Sequence, residues 1–311
     1  MATLYLSHTT FLEHDTGEGH PERPDRLRAI EKALQDSAFD DLLRETATQA
    51  PIEALERVHT PAYVSAIRRA SPEWGYAYLD GDTLMSPASF SAALLAAGAG
   101  MRAVDAVIGG EAQNAFCAVR PPGHHAEPHR AMGFCLFNNI AIAAKYARAQ
   151  HGLERIAVVD FDVHHGNGTQ AAFWSEPNLF FASTHQMPLY PGTGAASETG
   201  VANNIVNAPL APGSGGEEFR EAYTTRILPA LEAFAPDLIL ISAGFDAHQA
   251  DPLSNIGLVE DDYIWSTMRL SSIADKCCKG RIVSMLEGGY DLRALAQSVA
   301  GHIRALMDAG N

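Results

Sequence analysis

Along this chain, near-continuous apolar runs alternate with segments whose apolar residues recur at helical spacing. The runs at 114–119 (NAFCAV), 155–163 (RIAVVDFDV), 178–185 (NLFFASTH), 237–246 (DLILISAGFD) and 281–289 (RIVSMLEGG) predict strands. They lack the apolar–polar alternation of a half-solvated strand, as expected of parallel strands covered on both faces. Helical patterns lie between them, at 88–110, 138–152, 219–235, 261–278 and 291–309. Such alternation predicts an α/β fold in which a parallel sheet is flanked by helices. The Gly/Ala/Ser-rich stretches 191–200 and 211–216 are loop-length, too short to separate domains, so one domain over 1–311 is expected.

Composition narrows the function classes. The chain has 311 residues, 47% of them hydrophobic, with 22 Lys and Arg against 37 Asp and Glu, a formal net charge of −15. That surface repels phosphate backbones, so no direct nucleic-acid partner is expected. No uninterrupted apolar run approaches the roughly 18 residues of a membrane span, and the N-terminal MATLYLSHTT lacks a basic segment followed by an apolar one. Cys117, Cys135, Cys277 and Cys278 show no CxxC spacing, which suits reduced thiols and a cytoplasmic location.

Ligand sites in folds of this kind lie beyond the carboxyl ends of the strands. There the chain reads VVDFDVHHGNGTQ (158–170), and a strand pleat would put Asp160, Asp162 and His164 on one face. A lone Asp-x-His usually just begins a loop. A second apolar run, however, drives straight into Asp246, and an acid ending such a run bears a desolvation cost that a cation offsets. Asp162, His164 and Asp246 therefore make three candidate ligands with a fourth position open, the arrangement of catalytic zinc. Two carboxylates and one imidazole also suit Fe2+ or Co2+. A third run ends in RPPGHH (120–125), delivering His124 and His125 to the same rim as candidate acid and base. Asp160 can hold one imidazole as an ion pair, and the neutral Asn167 can orient the other without raising its pKa as strongly. The last run, SMLEGGYDL (284–292), brings Tyr290, whose phenol can donate to an oxygen gaining negative charge. Singly these residues are ordinary; four strand ends delivering suitable groups together point to a catalytic site.

The stretches RPPGHHA, GFCLFNN, DFDVHHGNGTQ, SAGFDAHQADPL and LEGGYDL resemble, in order, the zinc-dependent histone deacetylase superfamily, which includes acetylpolyamine amidohydrolases. The Asn of HHGNG and the wording of LEGGY resemble its class II branch, and the likeness runs from HPERPDRL (20–27) to about residue 292. The resemblance implies the arginase-deacetylase fold and removal of acyl groups from an acylated amine. It implies Asp162, His164 and Asp246 as metal ligands, His125 as general base and then acid, His124 paired with Asp160 as electrostatic support, and Tyr290 polarising the acyl carbonyl. Phe134 and Tyr190 match the two aromatic walls of the family's acyl tunnel, Tyr190 standing where relatives commonly carry Phe. Gly133 would offer its carbonyl to substrate, and Arg26 would lie deep behind the metal, beside the acetate product. A structural K+ is implied at Asp160, Asp162, His164, Ser183 and Thr184.

The same resemblance bears on the substrate. Polyamine-selective relatives carry an acid at the position of Leu253, so Leu253 favours an acyl-lysine peptide or protein over an acetylpolyamine or another small acylated amine. Asp82 falls near where relatives hydrogen-bond a peptide backbone, although Asp80 and Asp82 also read as ordinary loop charges; Glu18 and His20 could shape the rim, with solvated loop as their plainer reading. A ureohydrolase of the same fold would need a second metal, and His165 and Gly166 stand where its carboxylates are wanted. A non-catalytic acyl-amine binding protein would have lost the base or Tyr290, and both are present. A regulator acting through its surface and the oligomeric state stay open at this stage.

Overall fold

A computed structural model describes residues 2–310. Its frame is an eight-stranded sheet in the order β2-β1-β5-β10-β9-β6-β7-β8, every ladder parallel. The strands are β1 (Thr3–Ser7), β2 (Leu43–Thr46), β5 (Asn114–Cys117), β6 (Ile156–Asp160), β7 (Leu179–Gln186), β8 (Ile205–Leu210), β9 (Leu238–Ala243) and β10 (Ile282–Leu286). A two-stranded antiparallel hairpin, β3 (Ala77–Tyr78) and β4 (Leu84–Met85), stands apart from the sheet. The five apolar runs read as strands are β5, β6, β7, β9 and β10, each wholly buried. Helices cover both faces, as two-sided burial of a parallel sheet requires, and one continuous apolar core joins sheet and helices.

Three strands of the sheet, and both strands of the hairpin, lay outside the sequence expectation. β2 is exposed along its whole length and β8 mixes buried with half-buried positions, so neither carries the continuous apolar signature. β1 is buried over all but its last residue. The helix expected at 219–235 is broken into Gly216–Ala222, a π-type turn over Tyr223–Ile227, and Leu228–Phe234. Pro229 is the cause: it has no N–H to give to the preceding turn, and the backbone widens ahead of it. Helix Ser89–Gly109 is long and apolar enough by composition to cross a membrane, but 72% of its apolar window is buried inside the fold, which makes it a core helix.

Strand order locates the site. After β6 the chain moves outward through β7 and β8, then returns to insert β9 and β10 between β6 and β5. The four central strands β5-β10-β9-β6 are the ones whose carboxyl ends carry RPPGHH, LEGGY, AGFD and DFDVHHGNG. Such a reversal leaves a crevice above the strand ends.

Candidate active site

β6 ends at Asp160, so Asp162 and His164 do not follow it on a pleated face as expected. The segment beyond is a bent loop, tied down by Asp162 N–H donating to Asp160 Oδ1 (3.0 Å) and Val163 N–H donating to Asp246 Oδ1 (2.9 Å). This loop achieves what the pleat was expected to do. Asp160 turns toward His124, while Asp162 and His164 meet Asp246 arriving from the end of β9. One ligand atom from each of Asp162, His164 and Asp246 lies within 4.8 Å of the others. His164 Nδ1 is 3.1 Å from both Asp162 Oδ1 and Asp246 Oδ2. The two carboxylates are fully buried, and two buried like charges this close call for a cation between them. The donor set of two carboxylate oxygens and one imidazole nitrogen fits a divalent ion such as zinc. Gly288 completes the cradle: a Cβ there would run into the carboxylates of Asp246 and Asp162, and its N–H donates to Asp162 Oδ2 (2.8 Å).

The histidine pair sits beside this cluster, ring centroids 4.0 Å apart. His124 Nδ1 lies 2.9 Å from Asp160 Oδ2, and its Nε2 is 3.8 Å from Asp162 Oδ2. Burial opposes charge on His124, but Asp160, Asp162 and Glu287 outweigh it and hold the imidazole well above its usual pKa. His125 goes the other way. Burial first, then the neighbouring His124 and His164, push it well below the usual value. Its Nδ1 is 2.8 Å from Asn167 Oδ1. The Asn167 Nδ2 donates to Glu127 Oε1 (2.9 Å), which fixes the amide orientation. Asn167 Oδ1 must therefore accept from His125 Nδ1–H, and the lone pair of His125 is left on Nε2. Two adjacent imidazoles are thus set to opposite states.

A slot of about 230 Å3 runs from the surface down to His124, His125 and His164. Phe134 and Tyr190 line it, with Gly133, Leu189, Leu253 and Tyr290. Phe134 meets Tyr290 edge-on at 5.9 Å between ring centroids, and Tyr190 meets His125 edge-on at 5.2 Å. Gly133 has φ +56, and a Cβ there would strike the His125 ring, so only glycine fits beside the base. Tyr290 stays protonated: burial, then Asp246, raise its phenol well above the usual value. Asp82 sits at the mouth and Asp80 does not line the slot. Glu18 is exposed, as a solvated loop residue should be. His20 is more than that: its Nε2 is 3.2 Å from Asp82 O, and its ring packs edge-on against Phe134 at 4.7 Å.

Arg26 is buried behind the slot rather than in its lining; its guanidinium donates to Gly289 O (2.6 Å), Glu287 O (2.5 Å) and Glu22 Oε1 (3.0 Å), and its Cζ lies 5.1 Å from the Tyr290 ring centre. It braces the backbone that carries Tyr290. Ser183 of β7 stands opposite Asp160 of β6 in the ladder, its Oγ 2.9 Å from His185 Nδ1, while the buried Thr184 Oγ1 has no hydrogen-bond partner among the described residues. His165 is engaged with Thr193 (2.7 Å) and Gln170 (3.0 Å), away from the ligand cluster.

Several supporting residues were not singled out from the sequence. Glu287 Oε2 accepts from the N–H groups of Gly123 (2.7 Å) and His124 (3.1 Å), holding the histidine turn; burial pushes its carboxyl up to about 7. Asp251 Oδ2 accepts from Tyr290 N–H (2.6 Å) and its Oδ1 from Leu253 N–H (3.0 Å), so one buried carboxylate fixes two walls of the slot. Glu22 holds Arg120 as well as Arg26, all three buried. Glu287 had a readable signal: like Asp246, it is an acid at the end of a buried apolar run. Glu22 had only its i,i+4 spacing to Arg26, and Arg120 had none, because its partner Glu22 is 98 residues away.

The family model of the histone deacetylase domain matches residues 20–306. Histone deacetylase 14, chloroplastic, of Arabidopsis thaliana is 41% identical over 98% of this chain and 77% of its own. A probable deacetylase of Archaeoglobus fulgidus is 40% identical over 98% of this chain and 86% of its own. Among solved structures, the HD domain of HDA15 superposes with a TM-score of 0.93 at 37% identity, covering 99% of this chain and 88% of that one. The architecture deduced from strand order and the fold of that domain are the same.

Proposed function

Since the chain belongs to the histone deacetylase family, we propose that it removes acetyl or other short linear acyl groups from an acylated amine, most plainly the side chain of acyl-lysine in a peptide or protein. The observation that carries this reading is the slot itself. Two aromatic side chains flank a channel of about 230 Å3 that ends at His125 and at His164, one of the three clustered candidate ligands. Such a slot admits a linear alkyl stem and turns bulky groups away.

Asp162, His164 and Asp246 would hold the ion, zinc or in its place Fe2+ or Co2+. When bound, it supplies Lewis-acid polarisation of the carbonyl and a water made acidic enough to deprotonate at neutral pH. The protein does the rest. His125 Nε2 takes the proton from the attacking water and returns it to the leaving amine. His124, held charged by Asp160, keeps positive potential beside the developing oxyanion. The Tyr290 hydroxyl donates to that oxygen. Phe134 and Tyr190 keep the stem extended, the Gly133 carbonyl accepts from the scissile N–H, and Asp82 accepts from the substrate backbone at the mouth. Arg26 acts as a brace for Tyr290. A structural K+ would rest on the 160–164 loop with Ser183 and Thr184, where Asp160 links the ion to His124.

Leu253 supports acyl-lysine over a free polyamine, because an apolar wall gives a second ammonium no partner. The test is turnover of the zinc-loaded enzyme on an acetyl-lysine peptide and on N-acetylputrescine, with a chelator control. Chelator-sensitive cleavage favouring the peptide is expected. Preference for the polyamine would overturn the Leu253 reading, and failure on both would overturn acetyl-amine hydrolysis.

A further inference from the structure

A neutral imidazole can serve as the base in this slot in only one of its two forms. Its proton must sit on Nδ1 and its lone pair on Nε2, and the partner that decides this for His125 is an amide. An amide side chain has two ends of nearly equal shape, one accepting and one donating. With Oδ1 toward His125, Asn167 accepts from Nδ1–H. Turned over, it would offer an N–H to that nitrogen and move the imidazole proton to Nε2, which removes the base. The amide has no preference of its own between these two, so its surroundings must supply one.

Those surroundings are acceptors. Asn167 is buried at the start of helix Asn167–Phe173. Its Nδ2 donates to Glu127 Oε1 at 2.9 Å and lies 3.3 Å from Met132 Sδ and 3.4 Å from His125 O. Glu127 supplies the short, carboxylate contact of the three, whereas a thioether sulfur accepts weakly and the carbonyl contact is long. A turned amide would set Oδ1 against the Glu127 carboxylate, acceptor to acceptor with no proton between them.

Glu127 can discriminate in this way only if it is itself held in place. Its N–H donates to Arg130 O (2.9 Å) and Arg130 N–H donates to Glu127 O (3.3 Å), closing a turn. His59, buried just ahead of helix Pro61–Ala70, accepts at Nε2 from Asn138 N–H (2.9 Å). Its proton therefore sits on Nδ1, which donates to Glu127 O (3.0 Å). Burial pushes the His59 imidazole down to about 4, so it stays neutral in this role. Thr60 N–H donates to Pro128 O (2.9 Å) and ties the same turn to the same segment. The half-buried Glu127 side chain thus leaves a backbone anchored from two sides.

We infer that Glu127, anchored by His59, is a positioning residue for the general base: it keeps the Asn167 amide one way round and so keeps the lone pair of His125 on Nε2. This rests on the deacylase reading above and adds to it a residue that never touches substrate. Its effect falls on kcat rather than KM, because a wrongly protonated His125 leaves the walls of the slot as they are.

The experiment compares the zinc-loaded wild type with Glu127→Leu, Glu127→Gln, Asn167→Asp and the double variant Asn167→Asp/Glu127→Leu. Turnover of an acetyl-lysine peptide on the pH plateau gives kcat and KM. Nitrogen-15 NMR of histidine-labelled protein reads which ring nitrogen of His125 carries the proton, its signal being identified by its loss in His125→Ala. Glu127→Leu should lower kcat about three- to tenfold with KM held, and raise the fraction of His125 protonated on Nε2. Glu127→Gln still has an oxygen to accept from Nδ2 and should recover about half of the wild-type kcat or more. Aspartate at 167 has two like oxygens and no wrong way round, so in that background Glu127→Leu should cost nothing further. Equal losses in both backgrounds, or an unchanged proton position in Glu127→Leu, would overturn the positioning role. The expected proton shift without turnover of the peptide by any of the proteins, wild type included, would leave the role of Glu127 standing and overturn the deacylase reading.

Discussion

Replacing Asn167 with aspartate tests the division of labour between the two histidines. Asn167 Oδ1 accepts from His125 Nδ1 at 2.8 Å, so the substitution puts a full negative charge where a neutral oxygen now sits. A charge-assisted hydrogen bond is worth about 1.5–3 kcal/mol against about 1 for a neutral one. The difference, at 1.36 kcal/mol per pKa unit, is roughly 0.5–1.5 units. Coulomb attraction at about 4 Å and an effective dielectric of 20 gives about 4 kcal/mol, or roughly 3 units, as an upper bound. Two features hold the result toward the lower figure: the new carboxylate is buried, and Glu127 Oε1, which now accepts from Asn167 Nδ2 at 2.9 Å, becomes a like-charged neighbour. A rise of about 1–2 units follows. Negative charge favours the imidazolium, so the base stays protonated to higher pH. The acidic limb of kcat/KM should move up by that amount while the alkaline plateau stays within a few-fold. The assay is kcat/KM on an acetyl-lysine peptide with zinc-loaded enzyme, from alkaline pH down to the lowest pH at which both proteins keep their zinc. Adding Glu127→Gln restores a donor facing the new carboxylate and should preserve the upward shift. An acidic limb that stays put, or moves down, would refute His125 as the group that must be unprotonated.

The other predictions follow from neighbouring contacts. Tyr290→Phe keeps the Phe134 and Arg26 packing and removes the hydroxyl, so turnover should fall about ten- to a thousandfold with metal content unchanged; full activity would take Tyr290 out of the reaction. Glu287 is raised to about 7 in the fold, above its unfolded value of about 4.3. A raised acid binds more protons folded than unfolded, so its contribution is present below the unfolded pKa and lost as pH rises toward 7. Glu287→Gln keeps an acceptor for the N–H groups of Gly123 and His124, and should flatten the fall in Tm between about pH 4.5 and 7; an unchanged slope would show that Glu287 does not titrate there. Gly133→Ala forces a Cβ into the His125 ring at φ +56, so activity should drop at least tenfold with a smaller loss in Tm, and a fully active variant would overturn the tight fit described for the slot.

What could be read in advance depended on whether the physics was local. An apolar run ending in an acid is a local contradiction, and Asp246 announced itself because a buried carboxylate without a partner is too costly to leave unexplained. The same logic reaches Glu287, which the sequence carried equally openly at the end of IVSMLE. β2 and β8 stayed hidden because edge strands need only one covered flank and show no continuous run. The place of Arg26 behind the metal came from the resemblance alone, and no local pattern showed what its guanidinium would hold. In the fold, Glu22 and two backbone carbonyls already take its hydrogen bonds. Glu22 in turn is shared with Arg120, 98 residues away, and that long-range pairing leaves no trace in either local sequence. The pleat expectation for Asp160, Asp162 and His164 failed in geometry and still grouped the right residues. A loop braced by Asp160 Oδ1 and Asp246 Oδ1 can bring alternate residues together as a strand does, but it can also aim each carboxylate separately. That freedom is what lets Asp160 serve His124 while Asp162, two residues on, faces the cation site.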